Sequence, residues 1–382
     1  MTPLSQLLRS VTAALVVLSA AASYASNSSH YLITNNDNSR GNSATVYTIS
    51  GNTMLTKTAV INTGGTGVDG IGDVATKRVS ILNGSTQACA FISDAGSADV
   101  AGISIATLSA TGTFKAESTD SAPFGMAVVN NGKYVYVSFT GSNTLATYEI
   151  MPGCTLKFIQ DVAAAGLNGG PMIDMWVHEH ILVASFQDGS IESFDVGAGV
   201  PVANGDLQYS TGYTQDGSFP AGVDITADGH YAVFGGTNTP PLVEVSDISS
   251  GKLSATVAYS DLGSGGGSEA IWLSPDENLL YISNFSSSQV TAAFFDKTTG
   301  DVSFACISPT LKNFNYEAGM ATATVSGAGF TLFVAEPDSD LASVRVTGGS
   351  DSCSLTEAPR SPVNDENTIG LDSIGVFPPR PF

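Results

Sequence analysis

The sequence contains few basic residues. Lysine and arginine together number 14 against 35 aspartates and glutamates, so the formal net charge at pH 7 is −21. A surface with this balance repels nucleic acid phosphates, anionic lipid and phosphorylated substrates, and it attracts cations. We therefore exclude nucleic acid as a partner and expect a small-molecule, protein or glycan ligand.

Long hydrophobic runs are also scarce. One run, VTAALVVLSAAA, follows a stretch with a single arginine and precedes Ser23-Tyr24-Ala25. This arrangement is typical of a secretory signal peptide cleaved after Ala25. We predict a leader over residues 1–25 and a single mature domain over residues 26–382, secreted or periplasmic. No other segment has the roughly 18 uninterrupted apolar residues of a membrane-spanning helix.

Signatures of common enzyme sites are missing. No GxSxG elbow stands between a strand and a helix, which argues against a catalytic serine. The glycines of GGTGVDGIGD, residues 64–73, precede no predicted helix, so a dinucleotide site is unsupported. Four cysteines, none in a CxxC pair, argue against a zinc ribbon or thioredoxin-like motif and are consistent with two disulfides in one of three connectivities.

Helical periodicity is almost absent, and a repeated phrase of short β-patterned runs takes its place. The second run of each phrase occurs at spacings of 45 to 58 residues. These runs are YLITNN from Tyr31, CAFISD from Cys89, YVYVSF from Tyr134, ILVASF from Ile181, YAVFGG from Tyr231, LYISNF from Leu280 and LFVAEP from Leu332. A polar turn and further β-patterned runs follow each of them.

Seven units of four strands predict an all-β, seven-bladed β-propeller. A sandwich would not repeat one motif seven times, and β-helix coils are shorter. We label the strands a to d outward from the axis. The first unit lacks strand a, and GLDSIGVFPPRPF at the C-terminus resembles the first strand of the fifth unit. We therefore predict that the C-terminal strand joins the first blade and closes the ring, which removes open sheet edges.

The blade assignment predicts which cysteines form disulfides. Cys89 and Cys154 fall in neighbouring blades two and three, and Cys306 and Cys353 in neighbouring blades six and seven. A disulfide needs Cα atoms within about 7 Å, which nonadjacent blades cannot supply. The short-range pairs Cys89–Cys154 and Cys306–Cys353 are therefore predicted.

The phrases YVYVSFTGSNTLATYEI and SPDENLLYISNFSSSQVTAAFFDKTTG resemble the repeats of YVTN and lactonase-type seven-bladed propellers, the group that includes bacterial 6-phosphogluconolactonase. The resemblance covers most of the mature chain and rests on blade-building residues. It implies a lactone hydrolase or an exported relative without established chemistry. The histidine, arginine and glutamate that the family's enzymes place around the channel have no matching set here. Arg40 is the only arginine in a loop that we place at the channel mouth.

Acidic residues recur near the predicted start of strand a, which lines the channel. They are Asp69, Asp174, Asp224, Glu269, Glu317 and Asp372. We predict that they surround one mouth, on the face formed by the d/a connections and b/c turns, and bind a ligand there. Carboxylates are ligands that calcium and magnesium prefer, and Glu269 and Asp372 are the candidate metal ligands. Simple hydration of the mouth is the alternative.

Two histidines, His178 and His180, stand two residues apart in WVHEHILV and share one face of an extended strand. Such a pair could contribute to a zinc site. It occupies an a/b turn on the face opposite the acidic mouth, and His230 occupies the same turn of another blade. We expect exposed turn histidines without a third ligand.

Two functions remain open. The first is an exported, lactonase-like hydrolase for a small neutral or cationic lactone or ester at the acidic mouth, with a divalent cation to polarise the carbonyl. The second is a non-catalytic propeller that binds a protein or glycan on the same face. A cleft rich in carboxylates with shifted pKa values favours the enzyme, and a flat aromatic face favours the binder.

Overall fold

The computed structural model is a seven-bladed β-propeller built from seven antiparallel sheets, which confirms the predicted fold class. The residues that the structure describes are 30–51, 53–69, 77–116, 119–129, 132–213, 218–237, 242–263, 268–284, 287–314, 320–324, 330–336, 340–349, 352–366, 371 and 373–379. The backbone alone is described at residues 268, 269, 320–324, 336 and 349. The predicted leader lies outside the described residues.

We number the strands in chain order and the blades from one to seven. Blades one to three contain β1 (His30–Asn35), β2 (Ser43–Ser50), β3 (Met54–Asn62), β4 (Val79–Asn83), β5 (Ala88–Asp94), β6 (Asp99–Ser104), β7 (Ser109–Lys115), β8 (Pro123–Val128), β9 (Tyr134–Phe139), β10 (Thr144–Met151) and β11 (Thr155–Ala163). Blades four and five contain β12 (Met172–His178), β13 (Ile181–Phe186), β14 (Ser190–Asp195), β15 (Val202–Ala203), β16 (Gln208–Tyr209), β17 (Pro220–Ile225), β18 (Tyr231–Gly236), β19 (Val243–Asp247) and β20 (Val257–Tyr259). Blades six and seven contain β21 (Ser268–Leu273), β22 (Leu279–Asn284), β23 (Gln289–Asp296), β24 (Asp301–Ile307), β25 (Met320–Thr324), β26 (Phe330–Glu336), β27 (Asp340–Gly349), β28 (Ser352–Glu357) and β29 (Val363–Asn364), and β30 (Ser373–Phe377) completes blade one.

Each blade is an antiparallel meander whose strands follow one another outward, so blade two reads β4-β5-β6-β7. Blade one is the exception, because its order is β30-β1-β2-β3. The short strands β16 and β29 pair with β14 and β27 and add a fifth strand to blades four and seven.

The ring closes as the sequence predicts. Strand β30 pairs with β1 from Tyr31 opposite Phe377 to Asn35 opposite Ser373. The innermost strands contact one another in a closed circle of β30, β4, β8, β12, β17, β21 and β25. These seven strands therefore line the central channel.

The hydrophobic core is divided among the blade interfaces. Among the described residues, seven large buried clusters each join two neighbouring blades, one cluster for every interface. Central strands are consequently covered on both faces, and β13 (ILVASF) and β22 (LLYISN) are buried at every position. Outer strands such as β7 are partly or fully exposed throughout. This is why the second run of each phrase reads as a nearly continuous apolar segment.

Both predicted disulfides are confirmed. Cys89 and Cys154 join blades two and three with Cα atoms 5.5 Å apart, and Cys306 and Cys353 join blades six and seven with Cα atoms 5.7 Å apart. Two disulfides indicate an oxidising environment. No helix within the described ranges has the length and apolar character needed to cross a membrane.

Deletion of residues 371–382 should destabilise the whole ring. Ile374 and Val376 are 2% and 4% exposed, and burial of each side chain contributes about 1.5–3 kcal/mol to stability. The deletion removes both contributions and leaves β1 with an unpaired edge. We expect a fall in the free energy of unfolding of at least about 3 kcal/mol, measured by urea denaturation, together with aggregation in size-exclusion chromatography. Deletion of residues 380–382 alone, which keeps β30, is the control. A truncated chain as stable as this control would contradict the closure model.

Candidate functional site

The structure describes the side chains of three of the six acidic residues predicted at the channel mouth. Glu317 and Asp372 lie outside the described residues, and at Glu269 only the backbone is described, within β21. The ligand site at these residues, and the divalent cation at Glu269 and Asp372, stay predictions.

Asp69 lies in the irregular segment that follows β3. The sequence pattern placed it at the start of an inner strand, but that strand begins only at Val79. The Asp69 carboxylate accepts hydrogen bonds from the backbone N–H and the hydroxyl of Ser39, at 2.8 and 2.5 Å. These bonds lower the pKa of Asp69. The side chain is exposed and joins two loops of blades one and two.

Asp174 and Asp224 do lie on inner strands, β12 and β17, and both are buried. Each accepts a backbone N–H from the next inner strand. Val223 N lies 2.8 Å from Oδ2 of Asp174, and Leu273 N lies 2.8 Å from Oδ2 of Asp224. These two carboxylates therefore connect blade four to blade five and blade five to blade six.

Asp174 has a second partner, Lys77, which sequence reasoning missed. Nζ of Lys77 lies 3.2 Å from Oδ2 of Asp174, and the two side chains are 2% and 0% exposed. Lys77 precedes β4, so this ion pair joins blade two to blade four across the inner strands. Burial raises the pKa of the Asp174 carboxyl, while the Lys77 ammonium and the backbone donors oppose that rise. Such a pair is stable only where further contacts compensate the desolvation of both charges.

Both tryptophans of the chain lie against the same ammonium. Nζ of Lys77 is 4.6 Å from the ring centroid of Trp176 and 5.5 Å from that of Trp272. The two indoles meet edge to face, with centroids 5.6 Å apart. Nε1 of Trp272 is buried and has no hydrogen-bond acceptor among the described residues. We call Lys77, Asp174, Trp176 and Trp272 the channel site.

A second buried cation stands next to the channel site. Nη2 of Arg78 lies 2.6 Å from Oδ1 of Asp37, and both side chains are fully buried. Nε of Arg78 donates to the Ser93 hydroxyl at 3.1 Å. Arg78 directly precedes the inner strand β4, and sequence reasoning, which considered Arg40 alone, did not anticipate it. The acidic side chains at this end are partly neutralised by two cations from consecutive positions.

Two features of the sequence could have indicated the channel site. Lys77 and Arg78 are the only consecutive basic residues in a strongly acidic chain. The two tryptophans both lie on predicted inner strands. Neither feature recurs from blade to blade, so a comparison of repeats does not detect it.

Two further carboxyl groups meet at the β5–β6 hairpin, where Asp94 pairs in register with Asp99. Oδ1 of Asp94 accepts from Nδ2 of Asn42 at 2.6 Å and from the Thr63 hydroxyl at 3.0 Å. Burial and the neighbouring Asp99 raise the pKa of Asp94 to about 8, and burial raises that of Asp99. A Cβ at Gly65 would collide with the Asp94 carboxyl. Glycine at this position therefore allows the chain to pack directly against that carboxyl.

The opposite face contains a cavity of about 290 Å³ between blades four and five. His178, His180 and His230 all line it. His180 and His230 occupy turns and are partly exposed, as expected, but His178 ends β12 and is only 7% exposed. Among the residues that the structure describes, no group of three or more His, Cys, Asp and Glu is arranged to hold a metal ion. We call this space the histidine cavity.

Breaking the Lys77–Asp174 pair should be costly. The variant K77M leaves a buried carboxylate uncompensated, and we expect a loss of about 3–5 kcal/mol in the free energy of unfolding. The double variant K77M/D174N should lose less than the sum of the single variants. The exposed pair Lys157–Glu149, at 4.0 Å, is the control, and its removal should change stability by at most about 1 kcal/mol. Additive losses in the urea-denaturation cycle at Lys77 and Asp174 would contradict a coupled pair.

The buried carboxyl pair Asp94 and Asp99 should make the free energy of unfolding fall as pH rises. The folded-state pKa of Asp94, about 8 against an ordinary 3.8, means that the native protein keeps a proton that the unfolded chain has released. This contribution is fully present below about pH 4 and is lost as pH rises to about 8. The free energy of unfolding of wild type minus that of D94N should fall across this window, by up to about 1.4 kcal/mol per pH unit. A constant difference between pH 4 and 8 would show that Asp94 titrates normally.

Similarity to known proteins is structural. No family model and no curated protein sequence matches this chain. Among solved structures, a putative 6-phosphogluconolactonase from Bacteroides fragilis superposes with a TM-score of 0.63 at 15% identity, over 92% of this chain and 99% of that one. A functionally unknown protein from Desulfotomaculum acetoxidans gives 0.65 at 13% identity, over 91% and 98%. A chain of the mitotic checkpoint complex gives 0.56 at 13% identity, over 79% and 82%. At these identities the similarity establishes the propeller fold alone.

Proposed function

We propose that the protein is an exported, lactonase-like propeller that binds and hydrolyses a small neutral or cationic lactone or ester at the channel site. The observation that supports this most is the ion pair of Lys77 and Asp174 against the two indoles. Ester hydrolysis needs a donor for the carbonyl oxygen and an acceptor for a proton of the attacking water. The ion pair provides one group of each kind.

The roles of the four residues follow from their chemistry. The Lys77 ammonium donates a hydrogen bond to the carbonyl oxygen, and the Asp174 carboxylate accepts a proton from water. The water oxygen forms a bond to the carbonyl carbon, the ring C–O bond breaks, and the proton on Asp174 passes to the leaving alkoxide. The indole faces of Trp176 and Trp272 bind the apolar side of the ring, and Nε1 of Trp272 offers another donor.

Charge favours substrates without phosphate. Lys77 and Arg78 are both engaged by aspartates, Asp174 and Asp37, and the net charge of the chain is −21. Phosphate recognition normally uses arginine or lysine whose charge is available to the ligand. We therefore propose an unphosphorylated substrate, in contrast to the one named for the Bacteroides fragilis structure.

Two variants of this proposal can be separated by experiment. A divalent cation at the predicted ligands Glu269 and Asp372 would polarise the carbonyl in place of Lys77. A non-catalytic binding module would bind a ligand at the same mouth and leave it unchanged. Sensitivity to chelator identifies the first, and binding without turnover identifies the second.

Binding is measured by tryptophan fluorescence, because both tryptophans belong to the channel site. Titration with unphosphorylated aliphatic and sugar lactones should change the emission saturably. The variant W272F keeps one indole as a reporter and should weaken the binding. A lactone series that leaves the emission unchanged at every concentration would argue against a ligand at this site.

Hydrolysis is measured on the same lactones with and without chelator. The variants K77M and D174N should each lower kcat/KM by at least about 100-fold. The more conservative K77R keeps the charge and tests the role of the ammonium if K77M is poorly folded. Removal of the exposed pair with E149Q/K157M is the control and should leave kcat/KM unchanged. Turnover that survives both K77M and D174N would refute the proposed roles.

A further inference from the structure

The histidine cavity takes no part in the proposed hydrolysis and lies on the face opposite the channel mouth. The β12–β13 turn contributes Glu179 and His180, and the β17–β18 turn contributes Asp228 and His230. Ile248, which follows β19, forms part of an apolar wall. The cavity is therefore open to solvent, polar on two sides and large enough for a molecule of several non-hydrogen atoms.

His178 and Gly229 form a close contact between the two blades. A Cβ at position 229 would lie 2.5 Å from Cδ2 of the buried His178 imidazole. Gly229 also has a φ of +68°, which favours glycine. Both constraints fix the turn that holds Asp228 and His230 against blade four, so the polar groups on the two sides keep a defined separation.

The cavity has a negative electrostatic character at neutral pH. Asp228 accepts hydrogen bonds from the Thr226 hydroxyl at 2.7 Å and from the backbone N–H of His230 at 3.0 Å. Burial raises its pKa, but these hydrogen bonds outweigh burial and the pKa of Asp228 is lowered overall. Asp247, whose Oδ2 lies 3.7 Å from Nε2 of His230, also has a lowered pKa because Ser249 donates to it.

Basic side chains do not offset this charge. No lysine or arginine is among the described residues that line the cavity. Lys252, which follows the lining residue Gly251, directs its ammonium to the backbone carbonyl of Asn204 at 2.8 Å. An anionic ligand is therefore disfavoured by Asp228, Asp247 and Glu179 together.

The donor geometry narrows the class of cation. A transition metal needs about four converging donors, and no group of three or more His, Cys, Asp and Glu within the described residues is arranged in that way. The polar groups instead come from turns of two different blades, on opposite sides of the cavity. Spread carboxylates and imidazoles suit a ligand that presents several N–H donors at separate points.

We propose that the histidine cavity binds a small organic cation with primary amine groups, held by the carboxylates of Asp228 and Glu179 and by the imidazoles. The ammonium N–H groups donate to these carboxylates and to the imidazole nitrogens. The methylene chain lies against Ile248 and Ile181. This site is independent of the channel site.

The test uses three four-carbon probes with cationic, neutral and anionic terminal groups, in isothermal titration calorimetry at neutral pH. Putrescine should bind with one site per chain, while 1,4-butanediol and succinate should bind at least about tenfold more weakly. The variant D228N should raise the Kd of putrescine by about tenfold or more, and E179Q should raise it in the same direction.

A matched control exists in blade six. Asp276 accepts from the Ser274 hydroxyl at 2.7 Å in the same turn position that Asp228 occupies with Thr226. Asp276 does not line the cavity, so the variant D276N loses an equivalent turn hydrogen bond without removing a cavity carboxylate and should keep the wild-type Kd. Equal effects of D228N and D276N, equal binding of putrescine and butanediol, tighter binding of succinate, or displacement of putrescine by zinc at equimolar concentration would each overturn the proposal.

Discussion

The pairing of β30 with β1 is the constraint on which the rest of the molecule depends. It joins the two ends of the described chain into one sheet and makes the circle of inner strands continuous. Every large buried cluster is shared by two blades, so no blade has a core of its own. Closure is also what brings inner strands of nonadjacent blades within reach of one another. The contact between Lys77 of blade two and Asp174 of blade four follows from that geometry.

Charges buried among the inner strands must be compensated locally, because burial removes them from bulk solvent. Asp174 receives an ammonium and a backbone N–H, and Arg78 receives a carboxylate and a hydroxyl. The two indoles supply an electron-rich surface for Lys77. These contacts stabilise the ring, and under the proposed function their oriented dipoles would also favour a polar reaction. The same contacts can therefore serve structure and function.

The sequence predicts those features that recur in every blade or depend on neighbouring blades. The second strands were recognisable because burial on both faces demands a continuous apolar run. The closing strand was recognisable because it resembles the first strand of blade five, and the disulfides because only adjacent blades bring Cα atoms close enough. The prediction that an inner strand begins near Asp69 is wrong, because that strand begins at Val79 and the described residues 63–69 are irregular and have no periodicity.

The channel site could not be predicted for a different physical reason. Lys77 and Asp174 are 97 residues apart in sequence, and the distance between them depends on the radius of the closed ring, which no local pattern encodes. The recurrence of acidic residues predicts an acidic mouth, but the electrostatic field at Asp174 depends on whether a cation lies within a few ångströms of its carboxylate. A single buried lysine changes the site from a collection of repelling carboxylates into an ion pair with aromatic walls. In this chain the recurring acid Asp174 was accessible to a comparison of the repeats, whereas its partner Lys77 was not, because a residue that occurs in one blade alone leaves no repeated pattern.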